Sequence, residues 1–196
     1  MSTVDETASA IHAGECVVIP TDTVYGLASR PVCDDAVRVL STLKRRSAEQ
    51  PIALVASDVD VLIELIPELA EVTLVAGPFT LVVPNPKRRM PSLSGSQPDT
   101  IGVRIPHLSG AAAELLARVG VVAATSANLH GGPDPRRLED VPKEILDGVA
   151  AVLDGGELPG IPSTVLDLTG REPRVLSEGA VPEAEALARV AEAMRQ

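Results

Sequence analysis

The sequence predicts an α/β protein, a single domain built on a twisted mixed sheet flanked by helices. Short β-branched runs bounded by Gly or Pro alternate with helical patterns along the whole chain, the signature of helices layered on one sheet. The alternation is not strict, so parallel and antiparallel neighbours are both expected. The length of 196 residues suits one domain. A chain of this size buries roughly 70% of its extended surface and needs no disulfide or metal to hold together.

The elements follow in order. Val4 to Ala13, closed by Gly14, reads as a short amphipathic helix, and CVVIPT (16–21) as a buried strand. Asp34 and Asp35 open a helix through DDAVRVLSTLKRR, with acids in its first turn and cations in its last, as the helix dipole favours. PIALVA (51–56) is a strand, followed by one helical pattern from Asp58 to about Val75. FTLVV (79–83), TIGVRI (100–105) and VVAAT (121–125) are strands, and SGAAAELLARVG (109–120) is a helix stopped by glycine. VAAVLD, STVLDL and PRVLS supply the later strands. The core is expected over about 8–181 and a C-terminal helix over about 182–195. NPKRRMPSLSGSQPD (85–99), rich in Pro, Ser and Gly around a basic cluster, reads as a long mobile loop.

The bulk composition excludes several classes. No apolar run approaches the roughly 20 residues that span a bilayer. MSTVDETASA is acidic and is no secretory leader. Cys16 and Cys33 fit no metal-ligand spacing and read as free thiols in a reducing cytoplasm. His12, His107 and His130 are scattered, against a histidine metal site. A formal net charge of −10, with one Tyr, one Phe and no Trp, argues against a surface devoted to nucleic acid.

Five stretches place small polar or cationic residues where a strand ends: PTDTVYG (20–26), KRRSAEQP (44–51), TIGVRIP (100–106), ATSAN (124–128) and PSTVLDL (162–168). Ligands of α/β sheets bind at strand ends, where backbone groups and loop side chains converge. Hydroxyls, an amide and several cations gathered there suit an anionic, hydrogen-bonding ligand. Neither GxxxxGK[ST] nor GxGxxG occurs, so any nucleotide is held by another device.

The same stretches carry a resemblance. PTDTVYGL, the Lys44-x-Arg46 pair with Pro51 five residues on, GPFTLVVP, VRIP, TSAN and STVLDL, in this order and spacing, resemble the YrdC-domain family of threonylcarbamoyl-AMP synthases, in the short stand-alone form. The resemblance implies a YrdC/RibB-like fold and a nucleotidyltransferase that makes threonylcarbamoyl-AMP and pyrophosphate from L-threonine, bicarbonate and ATP for tRNA modification. It implies Mg2+ with the ATP, and a transient contact with the tRNA threonylcarbamoyl transferase machinery as partner. By the same resemblance Lys44 and Arg46 are the catalytic cations on the triphosphate, and Gln50, Thr100, Ser126 and Asn128 join them around ATP. Thr23, Tyr25, Arg104 and Ser163 surround L-threonine, with Arg104 on its carboxylate, where a planar guanidinium bonds two oxygens at once.

Each residue has an ordinary structural reading beside that one. Tyr25 can be a half-buried ring with its hydroxyl bonded, Lys44 to Arg46 a solvated helix end, Ser126 and Asn128 turn residues, and Asp22 and Asp167 structural acceptors. Arg104 inside an apolar strand demands an anionic partner, either a ligand or an Asp or Glu. The chain also departs from the family at several places: Ser47 where a proline follows the arginine, Val75-Ala76 before Gly-Pro, His130 where serine is common, and Val55 where some members carry histidine. Ser177 stands where the family has an arginine on the nucleotide phosphates, and Arg45, Lys87, Arg88 or Arg89 are expected to compensate if the 85–99 loop folds over the pocket. A divergent paralogue with another carbamoyl or nucleotide substrate is therefore the second expectation, and an RNA-binding module the third.

Overall fold

The computed structural model describes residues 1–195. Helix α1 (Val4–His12) starts at a capping box, in which Thr3 Oγ1 accepts the Glu6 N–H at 3.2 Å and the Glu6 carboxylate accepts the Thr3 N–H at 2.8 Å. Strands β1 (Val17–Pro20) and β2 (Tyr25–Ser29) form a hairpin with Val17 opposite Ala28 and Pro20 opposite Tyr25. The second strand is a departure from expectation: YGLAS has no β-branched residue to mark it. Helix α2 (Asp34–Leu43) leads to β3 (Ala53–Ala56) and α3 (Val59–Leu65).

The helix expected over 58–75 is broken in two. Pro67 has no N–H to give to an intrahelical bond, so α3 stops and Pro67 opens a separate 3-10 turn, Pro67–Glu71. Then come β4 (Phe79–Pro84), the single-turn α4 (Pro91–Ser94), β5 (Thr100–Arg104), α5 (Gly110–Val119) and β6 (Val121–Ser126). A short α6 (Lys143–Leu146), strands β7 (Ala151–Val152), β8 (Thr164–Asp167) and β9 (Arg174–Ser177), and α7 (Glu183–Ala193) complete the chain.

The strands make one sheet in the order β7-β1-β2-β6-β3-β5-β4-β8-β9. The pairs β1–β7, β3–β5 and β4–β8 are parallel and the others antiparallel, so the sheet is mixed as expected. On one face Ile11 of α1 and Leu115 and Leu116 of α5 pack on Val17, Ile19 and Val122. On the other, Leu40, Leu62 and Val190 pack with Val18, Leu27, Leu54 and Phe79.

The 85–99 segment is not the open loop the composition suggests. Asn85 is buried and ties it internally, donating to Arg89 O and accepting the Arg89 N–H, both at 2.9 Å. Leu93 is fully buried and its carbonyl accepts the Ile52 N–H at 2.8 Å, while Ser96 N–H donates to Glu49 O at 2.8 Å. Gly95, at φ +55°, lies so close to Glu49 that a Cβ would collide with its carbonyl oxygen. The segment is therefore a buttress behind residues 49–52. Its cations are already paired, Lys87 and Arg89 with Glu68 and Arg88 with Asp99. They lie beyond the far end of β4 and do not compensate for Ser177.

Candidate active site

The strand registers lay a row of side chains across the middle of the sheet. Gly26 pairs with Ser126, Ala53 with Ala124, Val55 with Arg104, Thr80 with Val165, and Val165 with Ser177. Leu81 opposite Val103 sets Thr80 beside Arg104. These residues floor a cavity of about 290 Å³, walled by Thr21, Thr23, Arg46, Thr125, Pro162 and Ser163. Small residues at 26, 53 and 124 leave the space that larger side chains would fill.

Arg104 is the cation at its centre. The residue is 9% exposed, and its Nη2 donates to Thr23 Oγ1 at 2.9 Å and to Asp22 Oδ1. Asp22 is fixed in turn by the His107 N–H, which donates to Oδ2 at 3.1 Å. Burial pulls the Arg104 pKa down and Asp22 opposes that shift. Its Nε is buried without a hydrogen-bond partner. An unpaired buried donor of this kind is costly to the fold. On the opposite wall Thr80 Oγ1 and Ser163 Oγ share a hydrogen bond of 2.8 Å.

Arg46 joins this cavity to a second chamber of about 400 Å³, lined by Lys44, Arg46, Gln50, Ser126, Asn128 and His130 among others. Both spaces also share Pro51, Thr125 and Ser126. Arg46 donates from Nε to Gln50 Oε1 at 2.5 Å, from Nη1 to Thr125 Oγ1 at 3.2 Å and from Nη2 to Pro51 O at 2.8 Å. A guanidinium carries five N–H groups, so two remain for a ligand. Burial lowers its pKa.

Lys44 is placed differently from its expected role. It is 4% exposed, and its ammonium donates to Ser126 O at 2.5 Å, Asn128 O at 2.9 Å and Asn128 Oδ1 at 2.6 Å. Three donors meet three close acceptors, so Lys44 fastens the end of α2 to the Ser126–Asn128 turn. Burial, followed by the charge of Arg46, brings its pKa from 10.5 to about 8. The turn is closed further by Ser126 Oγ donating to Asn128 Oδ1 at 2.7 Å and by Asn128 Nδ2 donating to Gly132 O at 2.6 Å.

The structure thus gathers Thr23, Arg46, Arg104, Ser126 and Ser163 on one cavity and Lys44, Gln50 and Asn128 on the chamber beside it. Two expected residues fall outside. Tyr25 belongs to the opposite face: strand alternation turns Gly26 to the cavity and Tyr25 and Leu27 into the core. Its hydroxyl donates to Asp154 Oδ1 at 2.7 Å and accepts the Gly155 N–H at 3.0 Å, and burial, with Asp154, raises its pKa to about 12. Thr100 opens β5, four residues before Arg104, or about 13 Å at the usual strand rise. Its hydroxyl donates to Gln97 O at 3.2 Å. Ser177 and Val55 do line the cavity, so both departures from the family bear on the site. Asp22 is the structural acceptor its ordinary reading expects, here for Arg104. Thr80 and Thr125 are cavity residues that the sequence did not mark, although each lies in a stretch that carries site residues or the family resemblance.

The Sua5/YciO/YrdC family model, described as "Telomere recombination", matches residues 9–179. The chain belongs to this family. It is 35% identical over 182 residues to the threonylcarbamoyl-AMP synthase of Pyrococcus abyssi, covering 89% of this chain and 53% of that protein. This family member therefore spans about half the length of that relative. It is also 31% identical to the threonylcarbamoyl-AMP synthase of Stenotrophomonas maltophilia, covering 78% of this chain and 86% of that one. Among solved structures, that of P. abyssi Sua5 complexed with L-threonine superposes with a TM-score of 0.84 at 32% identity, over 96% of this chain and 57% of that one. E. coli YciO, at 23% identity and a TM-score of 0.74 over 91% of this chain and 90% of its own, shares the fold.

Proposed function

We propose that this chain is a threonylcarbamoyl-AMP synthase, a nucleotidyltransferase that joins L-threonine, bicarbonate and ATP and releases pyrophosphate. The observation that carries the reading is the meeting of two spaces over Arg46. One holds a buried arginine with an orphan Nε amid hydroxyls; the other is a cationic chamber without a carboxylate on its wall.

In this reading the L-threonine carboxylate lies on Arg104, with Thr23 and the Thr80–Ser163 pair offering hydroxyls beside it. The threonine amine takes up bicarbonate to form a carbamate, with loss of water. A carbamate oxygen then bonds to the α-phosphorus of ATP as the bond to the β-phosphate oxygen breaks and pyrophosphate leaves. The protein forms no covalent bond in this sequence; its residues position reactants and neutralise charge. Arg46, between the two spaces, is the group that neutralises charge at the reacting phosphate. Lys44 acts by holding the Ser126–Asn128 turn that shapes the chamber.

Neither lining contains Asp or Glu, and the described residues hold no cluster of three or more His, Cys, Asp or Glu. The residues therefore do not form a resident magnesium cage; Mg2+ enters on the ATP phosphates as part of the substrate. No described helix is long and apolar enough to cross a membrane. In this reading the enzyme works in the cytoplasm and hands its product to a separate tRNA-modifying machinery. Direct RNA binding is disfavoured by the formal net charge of −10 and by the single Tyr and single Phe available for base stacking.

The test is pyrophosphate release from Mg-ATP by the purified protein, with and without L-threonine and bicarbonate. Release that depends on both, with a product of threonylcarbamoyl-AMP mass, is the expected result. Ser177 and Val55 on the cavity wall favour one second reading, a divergent family member acting on another carbamoyl or nucleotide substrate. ATP cleavage indifferent to L-threonine would select it.

A further inference from the structure

The nucleotide chamber has few free donors. The Lys44 ammonium is committed to Ser126 and Asn128, and Arg46 to Gln50, Thr125 and Pro51 by three of its five N–H groups. His130 also lines this space. It sits on the tip of a turn fixed at both ends: the Asn128 amide donates to Gly132 O at 2.6 Å, and the Gly132 N–H to Leu129 O at 2.9 Å. Gly131, at φ +78°, supplies the left-handed residue the turn requires. The His130 N–H donates to Lys44 O at 2.9 Å, which holds the residue beside the α2 end that carries Arg46. Among the described residues no protein group hydrogen-bonds its ring, although Ser126, Asn128 and Gln50 lie along the same wall.

An exposed histidine on a loop tip is ordinarily a solvated side chain. Here the tip is rigid and borders a chamber without carboxylates, and the cations Lys44 and Arg46 that line it are largely engaged. We propose that His130 binds the polyphosphate of the nucleotide, its ring N–H donating to a phosphate oxygen beside the two free N–H groups of Arg46. The residue is then a binding determinant for ATP and pyrophosphate in this chain. It offsets part of what Ser177 lacks, from the opposite side of Arg46. The inference rests on the nucleotide reading of the chamber.

The test measures inorganic pyrophosphate, with Mg2+, and separately L-threonine, by isothermal titration on the full chain and on His130→Ala. One hydrogen bond to a charged group corresponds to about a tenfold change in affinity. Pyrophosphate is expected to bind about tenfold more weakly to the variant, with L-threonine affinity unchanged. Equal pyrophosphate affinity in the two proteins overturns the role of His130 and leaves the synthase reading standing. An equal loss of L-threonine affinity also overturns it, because that marks collapse of the turn. A wild-type chain that binds no pyrophosphate overturns the inference and the nucleotide reading together.

Discussion

Asp22 and Arg104 form an ion pair in which each side chain is only 10% exposed, the most buried pair among the described residues. It links the loop after β1 to the end of β5, and Asp22 also receives the His107 backbone N–H. A buried arginine left without its carboxylate costs about 3 kcal/mol or more. Asp22→Ala is therefore expected to lower unfolding free energy by about that amount in a denaturant titration. The affinity for L-threonine should fall as well, since Arg104 loses the contact that aims it.

Lys44 ties stability and site geometry to pH in opposite directions. Its folded-state pKa of about 8 lies below the ordinary 10.5. Between those values the unfolded chain binds the proton and the folded one does not, so this group's contribution to stability rises as pH climbs from about 8 to 10.5. The neutral amine has only two protons for three acceptors, and the Ser126–Asn128 turn loosens. ATP affinity is expected to decline above about pH 8. Lys44→Met should abolish that inflection and weaken ATP at every pH; an unchanged profile would refute the assignment.

Tyr25→Phe separates a structural tyrosine from a ligand contact. The ring stays packed, while the Gly155 N–H loses its acceptor and the Asp154 carboxylate keeps only the Gly156 N–H. The expected cost is about 1–2 kcal/mol in thermal or chemical unfolding, with L-threonine affinity unchanged. A large loss of L-threonine affinity at constant stability would return Tyr25 to the pocket.

Ser177 lines the cavity from the exposed edge strand β9, where a longer side chain meets solvent on one side. Ser177→Arg should fold normally, with stability within about 0.5 kcal/mol. Steady-state kinetics should show KM for ATP falling about tenfold if the new guanidinium makes one charge-assisted contact to the phosphates.

Much of this architecture was legible in the sequence. The strands at β1, β3, β4, β5, β6, β8 and β9 follow β-branched runs between Gly and Pro, and the polar strand ends at Thr23, Arg46, Arg104, Ser126 and Ser163 do converge. The misreadings share a cause: they depend on which way a residue faces or what it meets across the fold. Tyr25 stands one residue from Gly26, and only the register of an unrecognised strand decides which of them faces the cavity. Thr100 and Arg104 lie on one strand but at opposite ends of it. The composition of 85–99 suggests solvent, whereas Leu93, Gly95 and Asn85 find partners in Ile52, Glu49 and Arg89. Lys44 carries the charge of a phosphate ligand, yet its burial makes it the clasp of a turn.

A crystal structure with L-threonine and a non-hydrolysable ATP analogue bound together tests the two-chamber site directly. The amino-acid carboxylate is expected on the Arg104 guanidinium, and the phosphates against Arg46 in the chamber that His130 borders. L-threonine bound away from Arg104, or a nucleotide with its phosphates outside that chamber, would contradict it.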